Sequence, residues 1–357
     1  MRKKLAWTIG ILVVFGLAVL SSAGIADAQK KFDSSYYYFY HQLLFGILPG
    51  AVIAYFLSRI DYHVWRKLSL VILFGALFAM ALVFVPQFGY GTKGAVRWVN
   101  LYGFVFQPAE LLKLALIIYL AAWFGGRHDR MKNWVYGAAP FFLILGLVTV
   151  LLALQPDIGT LIVVGCIALG MYFAAGVSWK QLGIVIGVGL LGLVILVAVE
   201  PYRLDRLKTF LDPQRDPRGS SYQVNQAAIA IGSGGLFGVG YGNSTQKLGF
   251  LPEPIGDSIF AIIVEELGLT GGLFTLLLFI TLGFMLSRVA ITTHDSFGRL
   301  YVSGVNIWIM SQAFVNIAAI SGLAPLTGIP LPFISYGGTA IMTLLAALGI
   351  ALNVAKE

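Results

Sequence analysis

The stretch Leu251-Pro-Glu-Pro-Ile-Gly-Asp-Ser-Ile-Phe260 puts a carboxylate, Asp257, where a polar segment runs into a long apolar one. Upstream, residues 201–257 form a loop rich in Arg, Gln and Gly, and nearly everything else in the chain reads as membrane span. One acid at the floor of the only large polar workspace suits general-base chemistry on a substrate that is itself held in the membrane. The plainer alternative for Asp257 is a helix N-cap. The loop beside it carries Arg203, Arg206, Lys208, Arg215, Arg218 and Lys247. Those cations either grip a phosphate or pyrophosphate or simply lie against anionic lipid heads.

Ionisable groups within spans are costly unless paired or hydrated, so each is a candidate. Glu110 and Lys113, in Gln107-Pro-Ala-Glu-Leu-Leu-Lys113, sit at i,i+3 on one helix face and can pair, either as a structural ion pair or as part of the site. Asp157, in Gln155-Pro-Asp-Ile-Gly159, is either an N-cap or an electrostatic or metal-binding group. Glu265 and Glu266 lie about two turns past Asp257, with Glu265 on roughly its face; a structural hydrogen-bond network is the simpler account of them. The run Gly232-Ser-Gly-Gly-Leu-Phe-Gly238 through Gly242 lets backbone approach a ligand closely, but no strand precedes it and it fits no nucleotide-binding pattern. Pro330, Pro332 and Gly337-Gly338 interrupt an apolar region, and such irregular backbone lines a wet cavity or is buried in protein.

The elements that must position these groups follow from composition. The chain has 357 residues, 58% hydrophobic and 11% charged, and a mean hydropathy of +0.85. Soluble domains carry about 25% charged residues, so lipid must solvate much of this surface. The net charge of +8 is explained by membrane topology, not by nucleic acid. A single cysteine, Cys166, excludes a disulfide within the chain, and His41, His63, His128 and His294 have no metal-ligand spacing. The spacing predicts ten membrane helices, near 5–22, 37–57, 68–86, 108–124, 134–154, 159–176, 181–200, 258–287, 300–320 and 333–353. Arg2-Lys3-Lys4 followed by an apolar run imitates a signal peptide, but the run is long enough to span and reads as a retained first helix. With the N-terminus inside, inner segments hold 13 Lys and Arg and outer segments 10, six of them in the long loop, which counts little toward orientation. The expectation is therefore an all-α polytopic protein, one transmembrane domain over residues 1–357, both termini cytoplasmic, with a large extracytoplasmic loop at 201–257 between helices 7 and 8. No internal repeat favours a transporter.

Taken together, the blocks Lys93-Gly-Ala-Val-Arg-Trp98, Gln107 to Lys113, Gln155 to Gly159, Phe210-Leu-Asp-Pro213 with Tyr222-Gln223, Ala230 to Gly238, Leu251-Pro-Glu-Pro254 with Asp257, and Pro330-Leu-Pro-Phe-Ile-Ser-Tyr-Gly-Gly338 resemble the SEDS family (shape, elongation, division and sporulation proteins). The likeness covers nearly the whole chain in the family's order, and Leu20-Ser-Ser-Ala-Gly24 with Tyr36-Tyr-Tyr-Phe-Tyr40 looks closer to the division type than to the elongation type. The chain departs from the family pattern at Gly256 and Ser258 around the acid, at Ala227, and at Thr339-Ala340.

The resemblance implies a peptidoglycan glycosyltransferase in the bacterial cytoplasmic membrane. It would polymerise lipid II into glycan strands on the outer face, with inversion at the anomeric carbon of a lipid-pyrophosphate donor. It also implies a cognate class B penicillin-binding protein and other divisome or elongasome membrane proteins as partners. Asp257 is then the catalytic base. Lys113, Glu110, Asp157, Arg97, Arg203, Arg206, Arg218, Gln223, Ser233, Glu253, Ser335 and Tyr336 are the expected substrate-binding or electrostatic residues. A divalent cation, Mg or Mn, is expected to help neutralise the pyrophosphate, with Asp257 and Asp157 as its possible ligands. A lipid II flippase and a non-catalytic scaffold are the rival functions.

Overall fold

The computed structural model describes residues 1–92, 95–125, 139–199, 201–212, 216, 219 and 221–356. Ten apolar helices account for the ten predicted spans. They are α1 (Arg2–Ala23), then α3 (Tyr37–Gln42), which continues through a π turn (Leu43–Ile47) into α4 (Leu48–Leu57), then α5 (His63–Leu82), α6 (Pro108–Gly125), α7 (Ala139–Leu154), α8 (Ile158–Ala174), α9 (Trp179–Val199), α12 (Ile259–Thr292), α13 (Ser296–Ile320) and α14 (Gly338–Val354). Seven of the ten are at least 18 residues long, and the segments Phe141–Leu154, Ile158–Ala174 and Gly338–Val354 are shorter. The molecule is a mostly helical, multi-pass membrane protein. An even number of spans returns the chain to the side on which it began.

Burial sorts the spans by their neighbours. The most hydropathic of the seven longer spans, α9, is only 11% buried and presents its apolar surface to lipid, whereas 72% of α6, which carries Glu110 and Lys113, is buried inside the bundle. Helix α13 is the hub, packed on α6, α8, α12 and α14. Helix α1 belongs to the bundle too: Leu5, Ile9 and Leu12 are buried. Its Gly16 lies so close to the Phe333–Ile334 backbone that an added Cβ would sit 2.3 Å from the Phe333 carbonyl oxygen.

Three features depart from the sequence expectation. The segment 201–257 is folded: it contains α10 (Pro201–Leu211), α11 (Tyr222–Ser233) and a 3-10 turn (Gln246–Leu248). A short helix, α2 (Ile25–Phe32), follows α1. Between α5 and α6, where no strand was expected, lies a three-stranded antiparallel sheet of β1 (Gly89–Thr92), β2 (Ala95–Leu101) and β3 (Phe104–Phe106), in the order β1-β2-β3. Its second hairpin turns on Tyr102 and Gly103, both at positive φ (52° and 99°), as a tight two-residue turn requires.

Helix α12 is the element that positions the acid. Ser258 stands at its N-cap, so Asp257 precedes the helix rather than sharing a face with Glu265. Ten residues past Ser258 the helix breaks at Gly268 (φ 70°, ψ −168°), a conformation open to glycine and closed to most side chains.

Candidate active site

The loop before α12 is a tight turn built around Glu253, which sits between two prolines at φ 50°. Its carbonyl accepts from the amides of Gly256 (3.0 Å) and Ser258 (3.3 Å). The next three carbonyls are each held from outside the loop. Ile255 O accepts from the Tyr336 amide (2.8 Å). Gly256 O accepts from Ser335 Oγ (2.6 Å), and Asp257 O from Asn316 Nδ2 (2.8 Å). The backbone carrying Asp257 is therefore pinned, while its side chain stays part-exposed.

Among the described residues one side chain donates to that carboxylate: Gln223 Nε2, from α11, lies 3.2 Å from Oδ1. The same nitrogen reaches Ser258 Oγ at 3.0 Å. Burial raises the Asp257 carboxyl from its ordinary 3.8 to about 6, and the negative charge of Glu253 adds to the rise, while Gln223, Arg206 and a backbone hydrogen bond oppose it. Near neutral pH such a group both holds and releases a proton readily, which is what a general base needs.

The cations divide into near and committed. Arg206 on α10 donates to Leu326 O at 2.9 Å, and its charge bears on Asp257. Arg203 lies one turn earlier on the same helix; Arg218 falls outside the described residues. Lys113 is fully engaged. It pairs with Glu110 (2.8 Å) with both side chains buried, donates to Gln312 Oε1 (2.8 Å), and lies 4.9 Å over the Trp308 ring. These contacts are those of a structural ion pair. Among the described residues Gln312 links it toward the site, its Nε2 donating to Pro330 O at 2.9 Å. A cavity of about 20 Å³, space for a single water, lies between Glu110, Trp308, Gln312, Pro330 and Ser335.

Asp157 caps α8, accepting from Thr160 N (3.1 Å) and Thr160 Oγ1 (2.8 Å). Arg97 on β2 donates to Gln155 O (3.4 Å) and to Pro156 O, tying the sheet to that turn. The turn in turn meets the irregular C-terminal segment: a Cβ on Gly159 would come within 2.7 Å of Thr327 O, and one on the neighbouring Gly328 would lie 3.9 Å from Asp257 Oδ2. Tyr336 Oη meets His41 Nδ1 at 2.9 Å. Ser233 bonds back to Ala230 O in its own helix, and among the described residues no hydrogen bond carries it to Asp257. Among the described residues no three His, Cys, Asp or Glu side chains gather as a metal cage. Of the two expected cation ligands, Asp157 is engaged in its helix cap, while the Asp257 carboxylate feels the charge of Glu253.

The glycine run approaches protein backbone. Val239 N and Gly240 N donate to the carbonyls of Glu265 and Glu266 (2.9 and 3.1 Å), and Leu269 N and Thr270 N donate to Gly235 O and Leu236 O (2.9 and 3.2 Å). The run thus satisfies the groups freed by the break at Gly268. A Cβ on Gly238 would sit 2.2 Å from Glu266 O, so only glycine fits. The two glutamates are satisfied just as fully. Glu265 accepts from Ser244 Oγ and from the amides of Thr245 (3.0 Å) and Gln246 (3.3 Å). Glu266 pairs with Lys247 (2.6 Å) and accepts from Ser22 Oγ (2.7 Å).

Sequence reasoning missed Asn316 and Gln312. The available signal was two amides at i,i+4 in an otherwise apolar span, overlooked because only ionisable groups were sought.

A family model described as cell cycle protein, FTSW_RODA_SPOVE, matches residues 3–357. A probable peptidoglycan glycosyltransferase FtsW of Geobacter sp. (strain M18) is 39% identical over 350 residues, 97% of this chain and 94% of that protein. Stage V sporulation protein E of Bacillus subtilis (strain 168) is 37% identical, over 97% of this chain and 94% of that protein. Among solved structures, a chain described under structural coordination of polymerization and crosslinking by a peptidoglycan synthase complex superimposes with a TM-score of 0.80 at 30% identity, covering 99% of this chain and 97% of that one. The rod shape determining protein RodA of Thermus thermophilus does so with a TM-score of 0.72 at 27% identity, covering 99% and 96%.

Proposed function

The chain belongs to the FtsW/RodA/SpoVE family of cell cycle proteins, and from that premise we propose that Asp257 is the general base of a peptidoglycan glycosyltransferase acting on lipid II. The molecule is an enzyme of peptidoglycan synthesis embedded in the membrane by many spans. The observation that carries the assignment of Asp257 is its contrast with the other acids near it: its backbone is pinned on three successive carbonyls while its carboxyl is pushed up to about 6.

In the reaction, a sugar hydroxyl of the acceptor attacks the anomeric carbon of the donor. The new C–O bond forms as the bond to pyrophosphate breaks, and the pyrophosphate leaves with the electron pair. The hydroxyl proton passes to an Asp257 oxygen. A single displacement inverts the anomeric centre. The leaving group is already acidic, so it needs charge neutralisation more than a proton. Arg206 supplies that charge nearest the acid, with Arg203 and Arg218 on the same stretch, while Lys113 acts through its link to Gln312 and Pro330. A Mg or Mn ion held by Asp257 and Glu253 together with substrate oxygens would add to the neutralisation.

The Lys and Arg distribution supports cytoplasmic termini and a site on the outer face of the bacterial cytoplasmic membrane. A class B penicillin-binding protein is the proposed partner, and the superposition on a peptidoglycan synthase complex supports it. A flippase would need a polar path through the bundle. Glu110–Lys113 and Glu266–Lys247 are instead closed pairs, each satisfied where it stands.

The deciding experiment incubates the purified chain and its class B partner with lipid II in detergent, with and without EDTA. An enzyme makes glycan polymer where there is no second compartment. A transporter or a scaffold leaves lipid II unchanged, and that result would sink the reading.

A further inference from the structure

Asn316 lies on the buried face of α13 and is 1% exposed. Its Nδ2 donates to two carbonyls from segments distant in sequence, Asp257 O at 2.8 Å and Ile329 O at 2.7 Å. Both partners are acceptors only, so the nitrogen and not the oxygen of the amide must face them. One turn earlier on the same face, Gln312 Nε2 donates to Pro330 O at 2.9 Å. Helix α13 therefore presents two amides at i,i+4 as successive rungs that hold the irregular 329–330 backbone, and the second rung also holds the acid. Proline at 330 and 332 has no N–H of its own, so carbonyls here depend on donors from other elements.

This one nitrogen joins the carbonyl of the acid itself to the C-terminal segment, beside the direct bonds from Ser335 and Tyr336. Remove it, and two carbonyl oxygens that share a donor face each other with none. The segment it fixes also borders the carboxylate, since a Cβ on Gly328 would lie 3.9 Å from Asp257 Oδ2. The two other clamps on the loop, from Ser335 and Tyr336, hold Gly256 and Ile255; among the described residues Asn316 is the side chain that holds the Asp257 carbonyl.

We infer that Asn316 is a positioning residue for the glycosyl transfer: by joining the carbonyls of Asp257 and Ile329 it aims the Asp257 carboxylate at the acceptor hydroxyl. This rests on the reading of Asp257 as the base. A misplacement of about 1 Å at a reacting centre costs on the order of 100-fold in rate.

The test compares wild type, Asp257→Asn, Asn316→Leu and Asn316→Asp, each with the class B partner, in lipid II polymerisation. Asn316→Leu is expected to lower kcat about 10- to 100-fold while KM for lipid II stays within about twofold, because the hydroxyl still binds but meets a misaimed base. Asn316→Asp keeps shape and volume, yet it donates to the two carbonyls only when protonated. Its rate is therefore expected to fall as pH rises through a range in which wild type keeps its rate. A residue needed merely for packing would lower the folded yield or Tm without creating that alkaline limb. If Asn316→Leu gives no folded protein, the pH profile of Asn316→Asp decides alone. Wild-type kcat in the folded Asn316 variants, with no new limb and with Asp257→Asn inactive beside them, would overturn the inference. Full activity of Asp257→Asn would instead overturn the assignment of the base.

Discussion

Asp257 and the Glu265–Glu266 pair lie eight and nine residues apart on one segment, and they differ in almost everything that decides what a carboxylate does. The glutamates are buried and surrounded by donors: serine hydroxyls, backbone amides of a loop folded onto them, and a lysine ammonium. Their charge is fully used in holding α1, the 244–247 loop and the broken α12 together. Asp257 has one side-chain donor, a negative neighbour in Glu253, and a pKa moved toward neutrality. An acid satisfied on every side is a fastener. An acid held firmly by its backbone but sparingly by its carboxylate is free to exchange a proton.

The sharpest way to break this contrast is to neutralise each acid in turn. Asp257→Asn is expected to reduce polymerisation of lipid II by about 100- to 10,000-fold, the usual contribution of a general base, with no loss of thermal stability. Residual activity at the wild-type level would erase the distinction. Glu266→Gln or Lys247→Met should do the reverse. Each strands a partner whose side chain is 4% exposed or less, at a cost of roughly 3–5 kcal/mol, and the thermal midpoint should drop markedly. The pair changed together should cost less than the sum of the two. A thermal melt in detergent with matched activity measurements separates the two patterns.

The same contrast shows what was legible in the chain. The ten spans could be read because runs of apolar residues long enough to cross a bilayer need no tertiary information. Asp257 stood out because it sits at the junction of a polar segment and such a run. The donors that pin its backbone could not be read, since Asn316 and Ser335 lie 59 and 79 residues from their partners. The glycines from 232 to 242 were read as letting backbone approach a ligand; the close approach seen at Gly234 and Gly238 is to the backbone leading to the break at Gly268, which nothing local announces. The sheet after α5 was missed although Val96, Trp98 and Asn100 alternate with their neighbours and Tyr102-Gly103 is a plausible turn, because its length is short and its setting was taken as an outer loop.

A pH series sharpens the comparison further. Because the carboxyl of Asp257 is raised to about 6, the base form is the majority only above that pH. The rate should therefore fall on the acid side with a midpoint near 6, well above the ordinary 3.8. The linked effect on folding runs opposite to the usual carboxylate. Between about 3.8 and 6 the folded chain keeps a proton that the unfolded chain has released, so this group's contribution to stability declines as pH rises through that window. Asp257→Asn removes that decline, and its thermal midpoint at neutral pH should be no lower than that of wild type.

The finest test lies with Glu253, which is exposed and next to Asp257 but makes the acid harder to ionise. Glutamine there keeps the backbone turn, since it is no more strained than glutamate at φ 50°, and removes only the charge. The acid limb of the rate should then move below 6, by a small amount because burial and not Glu253 is the larger cause of the rise. The rate at neutral pH should hardly change. Should the limb stay fixed while the neutral rate falls and more Mg is needed to restore it, Glu253 would be acting as a cation ligand with Asp257 rather than as its electrostatic neighbour. The two roles predict different axes of the same titration, and one variant measured at several Mg concentrations tells them apart.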